Sequence, residues 1–212
     1  MNDKERILII IERLEALYPS AECALVYEGE PWKLLVMARL SAQCTDKRVN
    51  IVSEILFERY STLEEMANAN ITELEEIVKP CGLYKVKARN IIDECIMIRN
   101  KFDGKVPDNM DDLLKLPGVG RKIANLILGD IYHKPAVVTD THCIRITNKL
   151  GFCKNENPLI VERVLSQLVP PEKQSDFCHR LVWFGRDRCT ARSPKCNGCP
   201  LSDVCPAYCL KM

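Results

Sequence analysis

No apolar run in the sequence approaches the roughly 20 residues that a membrane-crossing helix needs. Net charge is nearly absent too: 30 Lys and Arg face 29 Asp and Glu, leaving +1. No global field therefore draws in a polyanion, and any nucleic-acid surface has to be a local basic patch. Strand alternation, low-complexity tracts and long repeats are missing. The opening MNDKERILIIIERLEALYP carries acids through its apolar stretch and has no small-residue cleavage site, so it reads as a helix and not as a signal peptide. A cytoplasmic protein with no targeting signal and no membrane partner is expected.

The composition that remains is globular. Apolar residues at 47% and charged residues at 28% argue against disorder, and 212 residues can bury a core as one compact unit or two lobes. Periodicity is helical nearly throughout, so the expected fold class is all-α. Ile7, Ile10, Ile11, Leu14 and Leu17 mark a first helix; 32–43 is apolar almost all round and belongs in the middle of the core. The stretch 48–60 places Val49, Val52, Ile55 and Leu56 at core spacing, and Asn70 or Thr72 caps a helix carrying Leu74, Ile77 and Val78. Further helices are predicted over 85–102, 110–116, 141–150, 158–168 and 173–184, with one opening near Gly120 and running to about Tyr132.

Twelve cysteines without an export signal imply a reducing compartment, where clustered thiols suggest metal binding. Cys189, Cys196, Cys199 and Cys205 form a C-x6-C-x2-C-x5-C run, compact enough to wrap one metal centre. Zinc and an iron–sulfur cluster are about equally compatible with that spacing. Cys209, four residues on, lies outside the run, and the remaining seven cysteines read as small buried hydrophobes.

Glycine-rich nucleotide loops are another absence. LPGVGRKIANLIL (116–128) lacks the P-loop G-x-x-x-x-G-K-[ST], and Ile123 stands where the third glycine of G-x-G-x-x-G belongs. The pattern is helix, tight Pro-Gly-x-Gly turn, helix. Backbone N–H groups of Gly118, Val119, Gly120 and Arg121 at a helix N-terminus make a seat for phosphate, although the same turn can be plain punctuation between helices. Lys122 then falls in the first helical turn beside Arg121. A lysine there, with an ordinary pKa of about 10.4, has its charged form disfavoured by the helix dipole and becomes a plausible amine nucleophile. A solvated lysine beside a phosphate is the plainer alternative. Asp140 in VVTDTH is an N-cap candidate and, at the same time, a carboxylate able to face developing positive charge.

Together these features resemble the endonuclease III family, base-excision DNA glycosylase/AP lyases of the helix-hairpin-helix superfamily. LSAQCTDKRVN (40–50), GLYKVKARNI (82–91), LPGVGRK with VTDTH (116–142) and the cysteine run carry the resemblance across essentially the whole chain. It implies two helical lobes with a DNA-binding groove between them. One is a continuous six-helix barrel with the helix-hairpin-helix, 23–133; the other joins 1–22 to 134–212 around one 4Fe–4S cluster on Cys189, Cys196, Cys199 and Cys205. Lys122 is implied as the Schiff-base nucleophile and Asp140 as its acidic partner. Gln43 and Leu83 match residues that wedge into the gap left by a flipped nucleotide.

The implied partner is double-stranded DNA with damaged bases or abasic sites, met by a nucleoid-associated monomer that removes oxidised or ring-saturated pyrimidines. Lys85, Lys87, Arg89, Arg121, Arg186, Arg188, Arg192 and Lys195 form a candidate phosphate patch. A mismatch-directed glycosylase, an AP-site-only lyase and a non-catalytic iron–sulfur DNA-binding module are the competing readings. Departures from the family pattern are Leu114 in place of a glutamate, Ser193 in place of a lysine and Ile123 in place of a threonine.

Overall fold

The computed structural model describes residues 1–209, and among them every regular element is helical. The chain divides into two compact units, Ala24–Tyr132 and the discontinuous Met1–Cys23 with His133–Met212.

The discontinuous unit begins with α1 (Asp3–Leu17), opened by a capping box between Asn2 and Glu5. Its Ile7, Ile10, Ile11 and Leu14 are buried, and it packs against two later helices of the same unit, residues 158–168 and 174–187. The continuous unit is built around α2 (Pro31–Leu40), in which Leu34, Leu35, Val36, Met37 and Leu40 are fully enclosed. A helix whose only charged side chains are Lys33 and Arg39 has nowhere to go but the centre, and each enclosed apolar side chain contributes roughly 1.5–3 kcal/mol of burial. This helix stops at Leu40, three residues short of the expected Gln43: the Cys44 N–H, which a continued helix would send to Leu40 O, bonds Ser41 O at 3.1 Å instead.

α3 (Asp46–Arg59), capped by Thr45, buries Val49, Val52, Ser53 and Leu56. Ile55, placed by sequence at a core position, is 56% exposed; the 49-52-53-56 spacing sends the face through Ser53 instead. α4 (Leu63–Ala67) is a five-residue helix that the periodicity missed, marked only by its Thr62/Glu65 capping box. Asn70 is the cap of α5 (Ile71–Val78), its Oδ1 accepting from Thr72 N and Glu73 N. α6 (Tyr84–Lys101) packs on α4 and α5 and buries Ala88, Ile91, Cys95 and Ile98. The short α7 (Met110–Leu113) precedes the glycine turn, and α8 (Arg121–Asp130) follows it and packs on α2 and α7.

Back in the discontinuous unit, α9 (Thr141–Lys149) is closed by Gly151 at φ +75°. α10 (Pro158–Leu168), α11 (Gln174–Asp187) and the short α12 (Pro206–Cys209) complete it. α11 lies against α1 and α9 and buries Phe177, Leu181 and Phe184. No helix among the described residues is long and apolar enough to cross a membrane.

Candidate active site and thiol cluster

Leu116-Pro-Gly-Val-Gly turns the chain between α7 and α8. Gly118 takes φ +71°, and Val119 N donates to Leu116 O at 3.0 Å to close the turn. Val119 points its side chain into the core and spends its N–H inside the turn, so the outward row of N–H groups expected over 118–121 is interrupted there. Beneath the turn lies a feature that periodicity had hidden. Arg39 of α2 donates to Pro117 O at 3.0 Å, and its guanidinium fills the space where a Cβ on Gly118 would sit. Glu94 of α6, with no exposure at all, backs Arg39 at 3.7 Å. Burial pushes the Glu94 carboxyl up to about 8, with Arg39 pulling it the other way.

Gly120, extended at φ −99°, is the N-cap of α8, which makes Lys122 the second residue of the helix and exposed. In the other unit Asp140 caps α9, its Oδ1 accepting from Cys143 N at 2.7 Å. A carboxylate held this way has one oxygen committed to the helix and one left for other work.

Gln43 and Leu83 are both exposed, and both adopt a left-handed backbone, φ +56° and +49°. Leucine is rarely found there, and here it is the N-cap of α6 with no side-chain capping bond. Lys85 and Arg89 on α6 are exposed, as expected of phosphate contacts, whereas Lys87 is not. It is 3% exposed, and its Nζ donates to Leu40 O, Ala42 O and Cys81 O at 2.9, 2.7 and 2.8 Å. Lys87 therefore leaves the candidate phosphate patch: its three donors are consumed inside the protein.

Arg186, Arg192 and Lys195 are exposed on the discontinuous unit, and Arg188 is half-buried. Lys195 and Arg188 share Asp187, at 3.6 and 3.5 Å. Ser193 is exposed between the first two cluster cysteines, and Leu114 is 40% exposed beside the turn of the other unit.

Cys189, Cys196, Cys199 and Cys205 line one cavity of about 90 Å³, walled by Ile146, Leu150, Phe184 and Leu201. Four thiols lining one cavity supply the complete ligand set of an iron–sulfur cluster. Burial raises the pKa of Cys189 and Cys199, while Lys149 and Arg145 draw Cys189 back towards thiolate. Arg145 also donates to the Cys189 carbonyl, and its guanidinium stands 3.1 Å from His142 Nδ1. Arg6 and Arg13 of α1 strap the loop from outside, onto the carbonyls of Leu150 and Val204 and of Pro200. Of the other cysteines, Cys81, Cys95, Cys143, Cys153 and Cys178 are buried as expected; Cys23 and Cys44 are half-buried.

The profile of the HhH-GPD superfamily of base excision DNA repair proteins matches residues 36–171, and that of the iron–sulfur binding domain of endonuclease III matches 189–205, from the first of the four cysteines to the last. Endonuclease III of Bacillus subtilis is 41% identical over 97% of this chain and 94% of its own. The chain belongs to the endonuclease III family. Two solved structures agree, each with TM-score 0.93 and 41% identity over the whole of this chain and 99–100% of the other: a non-covalent endonuclease III–DNA complex and a trapped endonuclease III–DNA covalent intermediate. As a member of the endonuclease III family it is a base-excision DNA repair enzyme, a DNA glycosylase/AP lyase with an iron–sulfur cluster. That membership removes the zinc alternative and the non-catalytic one.

Proposed function

We propose that this enzyme removes oxidised or ring-saturated pyrimidines from double-stranded DNA, with Lys122 as nucleophile and Asp140 as its acidic partner. The observation that carries the reading is an exposed lysine at the second position of α8, presented by a turn that Arg39 braces from below. The helix N-terminus and the backbone of Gly118, Gly120 and Arg121 suit a phosphate, which fixes register without reading sequence. Arg192 and Lys195 supply further cationic contacts from the cysteine loop.

The lesion nucleotide leaves the stack, and Gln43 and Leu83 fill the gap. The lone pair of Lys122 Nζ attacks the sugar C1′; the C1′–N bond breaks and the base departs with the electron pair and a proton. The carboxylate of Asp140 offsets the cationic character that develops on the sugar. Ring opening leaves an imine between Nζ and C1′. That imine acidifies the C2′ proton, whose loss expels the 3′ phosphate and cuts the strand by β-elimination. Cys189, Cys196, Cys199 and Cys205 hold a 4Fe–4S cluster, which when bound supplies a covalent closure for residues 189–205. A monomer associated with the nucleoid is what the family resemblance implies.

Borohydride trapping on duplexes carrying thymine glycol checks the central step. Wild type should form a covalent adduct, and Lys122→Ala should form none and lose at least about 10³-fold in strand cutting. An adduct in the variant, or cutting at wild-type rate, removes Lys122 from the mechanism. Extending the panel to mismatches and plain abasic sites tests the narrower alternatives.

A further inference from the structure

Four non-glycine residues of the continuous unit have a left-handed backbone: Glu28, Asp103 and the two candidate gap-filling residues, Gln43 and Leu83. Left-handed backbone at a non-glycine persists only where the surroundings over-determine it. The turn at 41–45 follows the early end of α2; the turn at 82–83 follows the short 3-10 helix Lys79–Cys81 and opens α6. Nothing in their sequence separation, some 40 residues, brings them together. What does is one nitrogen. Lys87 Nζ donates to Leu40 O and Ala42 O on the first turn and to Cys81 O on the second, while its backbone N–H bonds Leu83 O at 3.0 Å.

The arrangement is chemically complete. An ammonium has three donors and no acceptor, and here three carbonyls take all three. Leu40 O and Ala42 O lie at the C-terminal, negative end of α2, where a cation is favoured. Burial alone would discourage a charge at this position, so the lysine is retained at a cost that an apolar residue would avoid. Beside it the surface is apolar where a surface normally is not: Leu83 is 58% and Val86 63% exposed.

We propose that Lys87 is a positioning residue that fastens the Gln43 turn and the Leu83 turn into one rigid element, so that both side chains enter DNA together. This rests on the base-excision reading above, in which those two side chains occupy the gap left by the flipped nucleotide. Lys87 itself touches no substrate. Its work is to hold the geometry before DNA arrives, so that no ordering remains to be done during insertion.

The test uses the full-length holoenzyme and a duplex with a tetrahydrofuran abasic analogue opposite 2-aminopurine, whose fluorescence rises when the base opposite the lesion is unstacked. Wild type at saturation should give a large rise. Lys87→Met, similar in length but without donors, should still saturate the duplex yet lose most of the rise. It should also process thymine glycol in paired duplex up to roughly 100-fold more slowly, and the same lesion in a single strand within about threefold of wild type. A general folding defect would lower both substrates alike. On a Gln43→Ala/Leu83→Ala background Lys87→Met should add little.

Should Lys87→Met fail to fold, Lys87→Gln keeps two of the three donors and should give an intermediate rise. A full fluorescence rise in the folded variant, or equal losses on paired and single-stranded lesions, overturns the role of Lys87. If wild type itself shows no fluorescence rise on this duplex and no borohydride adduct on thymine glycol, the proposed Lys122 and gap-filling reading fails, which is a different result.

Discussion

Gly118 and Gly120 are one residue apart and have different reasons to be glycine. At Gly118 the backbone is left-handed and a Cβ would collide with the Arg39 guanidinium. At Gly120 the backbone is extended and a Cβ would meet nothing within 4 Å. Gly118→Ala should therefore cost about 2 kcal/mol or more in chemical denaturation, from left-handed strain and displacement of a buried cation. Gly120→Ala should cost less than about 1 kcal/mol, because no neighbour occupies that space and only the poorer N-capping of alanine counts against it. Equal destabilisation by both would mean that Arg39 does not support the turn. Lys87 teaches the same lesson from the other side: its neighbours Lys85 and Arg89 face out, and only burial distinguishes it from them.

Helices α2 and α6 meet beneath the glycine turn through Arg39 and Glu94, and this joint has a pH dependence of known sign. Burial raises the Glu94 carboxyl from 4.5 to about 8, so the folded state holds its proton more tightly than the unfolded chain. The stabilisation is complete below about pH 4.5 and is lost as pH rises towards 8. Urea midpoints should fall across that interval in wild type, and Glu94→Gln should flatten the slope by up to about 1.4 kcal/mol per pH unit. An unchanged slope in the variant would assign the effect to other groups.

In the other unit α9 serves a comparable purpose. Its first turn is capped by Asp140 and its middle carries Arg145, which bonds the Cys189 carbonyl, so one short helix links the candidate catalytic carboxylate to the cysteine loop. Gly185 of α11 makes room for this, since a Cβ there would strike His142 and Arg145.

Across the whole molecule, the two units should depend differently on the cluster. Residues 189–205 contribute only Leu201 and Val204 to the buried hydrophobic core, and Arg6, Arg13 and Arg145 are among the side chains that bond their carbonyls. Anaerobic removal of iron should accelerate amide exchange in 189–209 and in α1, while residues 24–132 keep wild-type protection, because their core is independently packed around α2. Uniform loss of protection throughout both units would show that the cluster supports the entire chain.

How much of this could be read from the sequence varies with the kind of interaction. Helices whose apolar periodicity ran for three turns or more were legible, and so were caps such as Asn70 and Asp140, because both are local patterns. α4 escaped because five residues carry too little period, and Ile55 was misassigned because two adjacent phases of a helix fit the same apolar residues. The cysteine run was legible as a metal site, with the metal itself left open until the family was established. Lys87, Arg39 and Glu94 were not legible. A lysine between two exposed cations reads as a third, and an acid in an amphipathic helix reads as solvated.

The sequence by itself determined the all-helical class, the caps, the cysteine spacing and the family, since each depends on residues near one another along the chain or on their order. Tertiary structure alone decided which polar groups are buried and what they hold. Lys87 became a clasp only because the ends of two distant segments bring three carbonyls to one point, and Arg39 became the floor of the glycine turn only because α2 runs beneath it. Convergence of backbone oxygens in space leaves no local trace in sequence, and it sets the fate of a buried charge.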